Sequence, residues 1–265
     1  MKTVNPILAA GALSLISALD ATAQNNSVRE LDVINQLSTQ TAVSALPVTS
    51  FLNAPGNEKL KEFFLTPVKD TTALKGKRIA VLVADGFEEI ELTGPVWYFR
   101  ALGAQVDIVS PKFVAPPARY GLSVPEMAKT HVMAIQYLNP VGWIKVDRRT
   151  DEIKVDEYDA AFIPGGAWLP DNLRYDKDTI RFLKDFNQSG KLIAAICHGP
   201  LVLASADLLK GKKLTGYWNI QSDLTNAGGT VLEEPVVVDG NIVTSRHPID
   251  VADFSVAVKN WLIAR

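Results

Sequence analysis

The chain has 265 residues, a hydrophobic fraction of 47%, a charged fraction of 21% and a formal net charge of −2. That balance fits a globular protein with enough apolar residues for a sizeable core. It carries no basic footprint for nucleic acid, and no heptads, internal repeats or low-complexity tract run through it.

The N-terminus differs from the rest. Lys2 supplies a positive charge, Ile7 to Leu19 is apolar and small, and Ala21-Thr22-Ala23 offers a cleavage site before Gln24. The pattern predicts a secretory signal peptide over residues 1–23, removed near Ala23. Export follows, in a bacterium to the periplasm. The apolar run is shorter than the ~20 residues that span a bilayer, so the mature chain is expected to have no membrane span. Residues 24–75 are polar and turn-rich, with Pro47, Pro55, Gly56 and Pro67. They read as a linker or an arm docked on the main domain, with one short amphipathic helix at Glu58 to Phe64.

The main domain is expected over residues 76–265. Arg78 to Ala84 is a continuous apolar run, as for a strand buried on both faces. Asp85 and Gly86 break it. Glu88 to Leu102 has helical spacing, ended by Gly103, and Gln105 to Ser110 is the next strand. Residues 113–139 form a proline-punctuated insertion with little regular pattern. Val141 to Asp147 and Glu152 to Val155 are assigned to a small hairpin. Ala160 to Ile163 is a buried strand ended by Pro164-Gly165-Gly166, and Asp176 to Ser189 an amphipathic helix. Lys191 to Ile196 is a strand leading into Cys197, with a helix from Pro200 to Leu209 behind it. Shorter strands are assigned to Leu214–Gly216, Thr230–Leu232, Val236–Val238 and Ile242–Ser245, with a turn at Asp239-Gly240-Asn241 and a closing helix from Asp250 to Ala264. Strands alternating with helices predict an α/β fold, a three-layer sandwich with a mainly parallel sheet. Ligands bind such sheets at the carboxyl ends of the strands.

Three features fall at those ends. Cys197, the single cysteine, stands where a strand meets a helix, the placement many α/β enzymes give a nucleophile. Gly199 lets the chain turn closely, Pro200 suits a first helical turn, and the helix N-terminus is expected to lower the thiol pKa. A lone cysteine in an exported chain forms no internal disulfide; it is an inert core residue or a reactive thiol. Second, Glu88, Glu89 and Glu91 open the first helix. Glu88 and Glu89 read as complements of the helix dipole, whereas Glu91, flanked by Ile90 and Leu92, is directed at the sheet edge, where a carboxyl and a thiolate would share a proton. Third, the N–H groups of Gly165 and Gly166, with that of His198, form a candidate oxyanion hole. His198 serves as a base only if the turn directs its ring back to the sulfur. His247 and Trp218 are candidate pocket residues, and His131 falls in the insertion. No metal motif is present. No GxGxxG follows a strand and no GxxxxGK[ST] occurs, so no cofactor is expected.

The segments GKRIAVLVADGFEEIEL, YDAAFIPGG, KLIAAICHGP and LTNAGGTVLEEPVVVDGNIVTSRHPIDVADF, in this order, resemble the ThiJ/PfpI superfamily, nearest its intracellular-protease-I branch. The likeness spans about Gly76 to Leu262, outside the insertion. It implies a flavodoxin-like fold related to the class I glutamine amidotransferase domain. Its nucleophile matches Cys197, the adjacent histidine His198, and the acid hydrogen-bonded to the thiol Glu91. In that branch an acid after the PGG turn comes from a neighbouring subunit to orient the histidine; the nearest match is Asp171, in a loop one residue longer. The resemblance implies a homo-oligomer and a thiolate that attacks an electrophilic carbonyl. The leading expectation is an enzyme of reactive carbonyls, glyoxalase or deglycase-like, acting on a small-molecule carbonyl. A cysteine peptidase or amidase acting on peptides is the second, and a redox or stress protein that senses oxidation at Cys197 the third.

Overall fold

The computed structural model describes residues 52–112, 128, 130–137 and 139–265. The export signal, its cleavage site and residues 24–51 lie outside the described residues, as do residues 113–127 of the insertion.

The strands are β1 (Arg78–Leu82), β2 (Phe87–Glu88), β3 (Gln105–Ser110), β4 (His131–Gln136), β5 (Asn139–Lys145), β6 (Arg148–Arg149), β7 (Ala160–Ile163), β8 (Leu192–Ile196), β9 (Lys213–Leu214), β10 (Thr230–Val231), β11 (Val236–Asp239) and β12 (Ile242–Ser245). The helices are α1 (Glu58–Leu65), α2 (Glu89–Ala101), α3 (Leu169–Leu173), α4 (Lys177–Gln188), α5 (Pro200–Ser205), α6 (Gln221–Asn226) and α7 (Val251–Ile263).

The described residues build a seven-stranded sheet in the order β11-β12-β8-β7-β1-β3-β6. All neighbours are parallel except β11 and β12, the hairpin closed by the Asp239-Gly240-Asn241 turn. The five parallel strands from β3 to β12 have the flavodoxin-like order, in which the chain reverses direction across the sheet between β1 and β7. Every residue of β7 and β8 is buried. Such strands need unbroken apolar runs, which is what AAFI and LIAAI supply.

Helix α2 differs from a surface amphipathic helix. Its sequence stripe predicts one apolar face, yet Glu89, Glu91 and Thr93 are buried with Ile90, Leu92 and Val96. Other elements cover the remaining faces. Helix α1 brings Phe64 within 5.5 Å of Trp97 and Phe63 within 4.8 Å of Tyr98, ring centre to ring centre. Lys59 reaches Asp253 of α7 at 2.6 Å. Leu52, Leu60, Phe64 and Leu74 are buried in the same core as the sheet.

The described part of the insertion corrects the sequence reading. His131–Gln136 and Asn139–Lys145 form an antiparallel hairpin, with Met133 opposite Trp143 and His131 opposite Lys145. The partner of the second strand therefore precedes it; it is not Glu152–Val155. Those residues turn instead. Arg149 N–H donates to the Glu152 carboxylate at 2.9 Å, Lys154 N–H to Glu157 at 2.7 Å, and residues 155–157 form a single 3-10 turn. Local side-chain acceptors outcompete a ladder there. Strand β4 lies parallel to β2, pairing Phe87 with Ala134 and Glu88 with Ile135. The hairpin thus stands over the start of α2. Two short helices, α3 and α6, also went unread in the sequence. No helix of the described residues is long and apolar enough to cross a membrane.

Candidate active site

Strand β8 delivers Cys197 to the carboxyl edge of the sheet, where the backbone adopts φ 61°. A non-glycine residue in that region costs on the order of 1–3 kcal/mol and persists only when its surroundings fix it. Here they do. Cys197 N–H donates to Ser245 O at 3.0 Å, and its carbonyl accepts from Tyr217 N–H at 3.0 Å. Gly199 closes the turn, with its N–H on Ile196 O at 2.8 Å. A Cβ at Gly199 would stand 2.7 Å from Ile163 O and 2.9 Å from Pro164 O. Only a glycine lets the chain pass β7 that closely.

The His198 ring turns back onto the sulfur, its Nδ1 3.3 Å from Cys197 Sγ. The Tyr217 ring stacks on the imidazole at 4.7 Å, Trp218 stacks on Tyr217 at 4.0 Å, and His247 meets Trp218 edge-on at 5.9 Å. This four-ring wall begins at the reacting atom and runs out to Trp218, which is 59% exposed. Burial pulls the His198 imidazole below its ordinary pKa, so the ring is a neutral base at pH 7. Among the described residues no acid pairs with it.

Glu91 is fully buried on the other side of the sulfur. Its carboxyl faces the Cys197 thiol and the Gly165 N–H, while neither oxygen has a hydrogen bond of ordinary geometry. Burial first, then the charge of Glu88, pushes its pKa well up. The Glu91 carboxyl is thereby biased towards its protonated form. Burial also pushes the Cys197 thiol up, with the Glu91 carboxylate second, against the N–H groups of Gly166 and His198. This corrects the expectation of a thiol pKa lowered by the helix N-terminus: α5 is six residues long, and desolvation outweighs it. A protonated Glu91 adds no charge repulsion and gives the sulfur a proton donor.

The candidate oxyanion hole divides. The N–H groups of Gly166 and His198 point at the sulfur, whereas that of Gly165 serves Glu91. Gly165 has a second constraint: a Cβ there would collide with the Glu91 carboxyl and the Cys197 Cβ and lie 3.0 Å from Sγ. Asp171 stands apart from the cavity at the start of α3, exposed and ion-paired with Arg174.

These groups surround a cavity of about 360 Å³. Cys197, His198, Glu91, Gly166, His247 and Trp218 line it. So do residues that sequence reasoning set aside. Glu88 and Glu89 stand at the N-cap and first turn of α2, as the dipole reading expects, and they are also buried, 8% and 6% exposed, facing the cavity. Burial pushes each to a pKa of about 7. The Glu88 carboxylate accepts the Tyr137 N–H at 2.9 Å, which brings the β4–β5 turn over the cavity mouth. The available signal was three glutamates in the otherwise apolar run Phe87 to Leu92, directly after a strand. Among the described residues no cluster of ligating side chains is placed to hold a metal ion.

A flavodoxin-like sheet that presents a cysteine on a strained strand-to-helix elbow, against a buried acid, defines a class of α/β proteins built around one thiol. The chain belongs to the DJ-1/PfpI family, whose model matches residues 77–260. It is 40% identical over 182 residues to a Bacillus subtilis protein named "Putative cysteine protease YraA", covering 68% of this chain and 94% of that one. It is 37% identical over 180 residues to Escherichia coli "Protein/nucleic acid deglycase 2", covering 68% and 94%. Among solved structures, Drosophila melanogaster DJ-1beta superposes with a TM-score of 0.61 at 25% identity, covering 71% of this chain and 91% of that one.

Proposed function

We propose that the chain is a cysteine-dependent enzyme of reactive carbonyl compounds, working as a glyoxalase or a deglycase. The observation that carries this is the position of Cys197 Sγ between a fully buried Glu91 biased towards its protonated form and a neutral His198 Nδ1 at 3.3 Å, in a cavity sized for a small molecule.

The chemistry follows from those two neighbours. His198 Nδ1 takes the thiol proton as sulfur attacks the aldehyde carbon. The S–C bond forms, the carbonyl π pair moves to oxygen, and Glu91 supplies the proton that oxygen needs. For a 2-oxoaldehyde, the Glu91 carboxylate then removes the hydrogen on the sulfur-bearing carbon, and a proton returns at the neighbouring carbon. The first carbon is oxidised to a thioester and the second reduced to a secondary alcohol. Water hydrolyses the thioester, releasing the 2-hydroxy acid and the thiol, with no external oxidant. For a glycated amine, the same attack at the adduct carbon expels the amine.

The test is turnover of methylglyoxal to lactate, and of a methylglyoxal–amine adduct to free amine, by the pure protein. Cys197→Ser and Glu91→Gln should abolish both. Lactate formed by Cys197→Ser would sink the mechanism.

The name of the Bacillus subtilis relative and the Cys197–His198 contact favour a peptidase as the second reading. It needs an acid on the far nitrogen of His198, and in this reading Asp171 comes from a neighbouring copy of a homo-oligomer. Casein hydrolysis that tracks an oligomer in gel filtration and is lost in Asp171→Asn would support it. Export belongs to the same proposal: N-terminal sequencing of protein from the cell envelope fraction should begin at Gln24.

A further inference from the structure

We infer that the Cys197 cavity selects carbonyl compounds bearing a positive charge, an ammonium or a guanidinium close to the reacting carbon. The inference rests on Cys197 being the reacting group of the proposed carbonyl chemistry, and it adds the charge of the substrate.

Among the described residues three carboxyl groups line the cavity, Glu88, Glu89 and Glu91, and no lysine or arginine does. Arg246, beside His247 in the chain, is held by Asp250 and by Glu233, each at 2.8 Å, and is not part of the lining. The two lining histidines are neutral, because burial lowers the pKa of both. Among the described residues the fixed donors left to an anionic ligand are the Gly166 and His198 N–H groups at the sulfur, and no side chain adds a positive charge. The Glu91 carboxyl faces the thiol and the Gly165 N–H, and Glu88 accepts the Tyr137 N–H. Glu89 has no such partner: the residue is 6% exposed, it makes no hydrogen bond among the described residues, and its carboxyl meets the cavity. A buried acid with no partner lacks the group that would satisfy it. A bound cation supplies that group.

The wall opposite is aromatic. Tyr217 and Trp218 are stacked, with Trp218 exposed at the mouth. The indole face of Trp218 that Tyr217 does not cover attracts cations and repels anions. Acid on one side and π-face on the other form a site for a flat or quaternary cation. The carboxyls also tolerate the empty state. Glu88 and Glu89, at about 7, are partly protonated near neutrality, and a cation that enters draws both to the charged form, releasing protons. The groups facing them are Glu91, Tyr217 and the Tyr137 N–H, with His198 and His247 across the cavity and Asp250 behind His247.

The test uses three methanethiosulfonates on the full chain: trimethylammonium-ethyl and sulfonato-ethyl, of similar size and opposite charge, and the smaller neutral methyl compound. Each forms a mixed disulfide at Cys197 and releases methanesulfinate, read by intact mass and normalised to the rate with free glutathione. The expected result is a cation preference over the anion of about tenfold or more, larger at pH 8 than at pH 6. It should collapse towards unity in the Glu88→Gln/Glu89→Gln double variant. Equal rates for cation and anion, or a preference unchanged in the double variant, would overturn the inference. Where Cys197 reacts with none of the three, calorimetric titration with agmatine and with glutarate decides: binding of agmatine alone supports the inference, and binding of neither overturns it. Methylglyoxal turnover is scored separately. Turnover without charge preference removes this inference and leaves the carbonyl reading; preference without turnover does the reverse.

Discussion

Replacing Glu89 by Gln should stabilise the protein at pH 8 and leave it nearly unchanged at pH 4. The carboxyl is raised from an ordinary 4.5 to about 7 by burial alone. Below pH 4.5 it is protonated in both the folded and the unfolded chain, and the fold bears no charge there. As pH rises from 4.5 to about 7 the unfolded chain releases the proton and the folded one keeps it, so stability is lost across that window. Above 7 the fold holds a buried carboxylate and the loss is complete. At ~1.4 kcal/mol per pH unit, the loss approaches about 3 kcal/mol. The attraction of an ionised Glu89 at the first turn of α2 to the helix dipole, about 0.3–1 kcal/mol, disappears in the amide and trims the net gain to about 2 kcal/mol. Glutamine titrates in neither state. Urea unfolding of both proteins at pH 4, 5, 6, 7 and 8 should give curves that coincide at the acid end and separate steadily above pH 5. A constant difference across that range, or a variant less stable at pH 8, would refute the burial argument for this group.

Gly165→Ala drives a methyl into Glu91 and Cys197; overpacking of this kind costs about 1–3 kcal/mol. Thermal melting should fall by several degrees, while turnover and the iodoacetamide rate at Cys197 fall about tenfold or more. Phe64→Ala empties a buried aromatic position in α1 and should cost about 3–5 kcal/mol in chemical denaturation, although no residue of α1 touches the cavity. Tyr217→Leu removes the ring stacked on His198, a contact worth about 0.5–1.5 kcal/mol. The pH profile of thiol alkylation should then shift with little change in melting temperature, because the imidazole is no longer held against the sulfur.

The sheet was legible because buried parallel strands must be short apolar runs, and β1, β7 and β8 are little else. Cys197 and His198 were legible because they follow such a run directly, and Glu91 because it stands between the apolar Ile90 and Leu92. The direction of the His198 ring was not, since it depends on Tyr217, which lies 19 residues further along and meets the ring only in three dimensions. The burial of Glu88 and Glu89 was hidden for a similar reason. A glutamate at a helix start looks solvated until something covers it, and the cover comes from β4, more than 40 residues later. The hairpin itself was masked by Pro140 and by a register shift between Ala134 and Ile135, which blur the strict alternation that announces strands.

Desolvation governs the chemistry of the site more than any charge placed there. Both the thiol and the carboxyl beside it are pushed towards their neutral forms, because one buried negative charge is costly and two at contact are worse. A free thiolate is therefore a poor description of the resting protein. The arrangement favours reactions in which negative charge leaves sulfur as soon as it forms. Attack on a carbonyl does this: the charge passes to oxygen, and the Glu91 proton neutralises it within the same cavity. Attack on an electrophile that accepts no proton, such as iodoacetamide, lacks that second half and should be slow relative to turnover. A buried site penalises a standing ion but not a proton that moves with the electron pair, and this distinction makes a cysteine with an elevated pKa compatible with the proposed carbonyl chemistry.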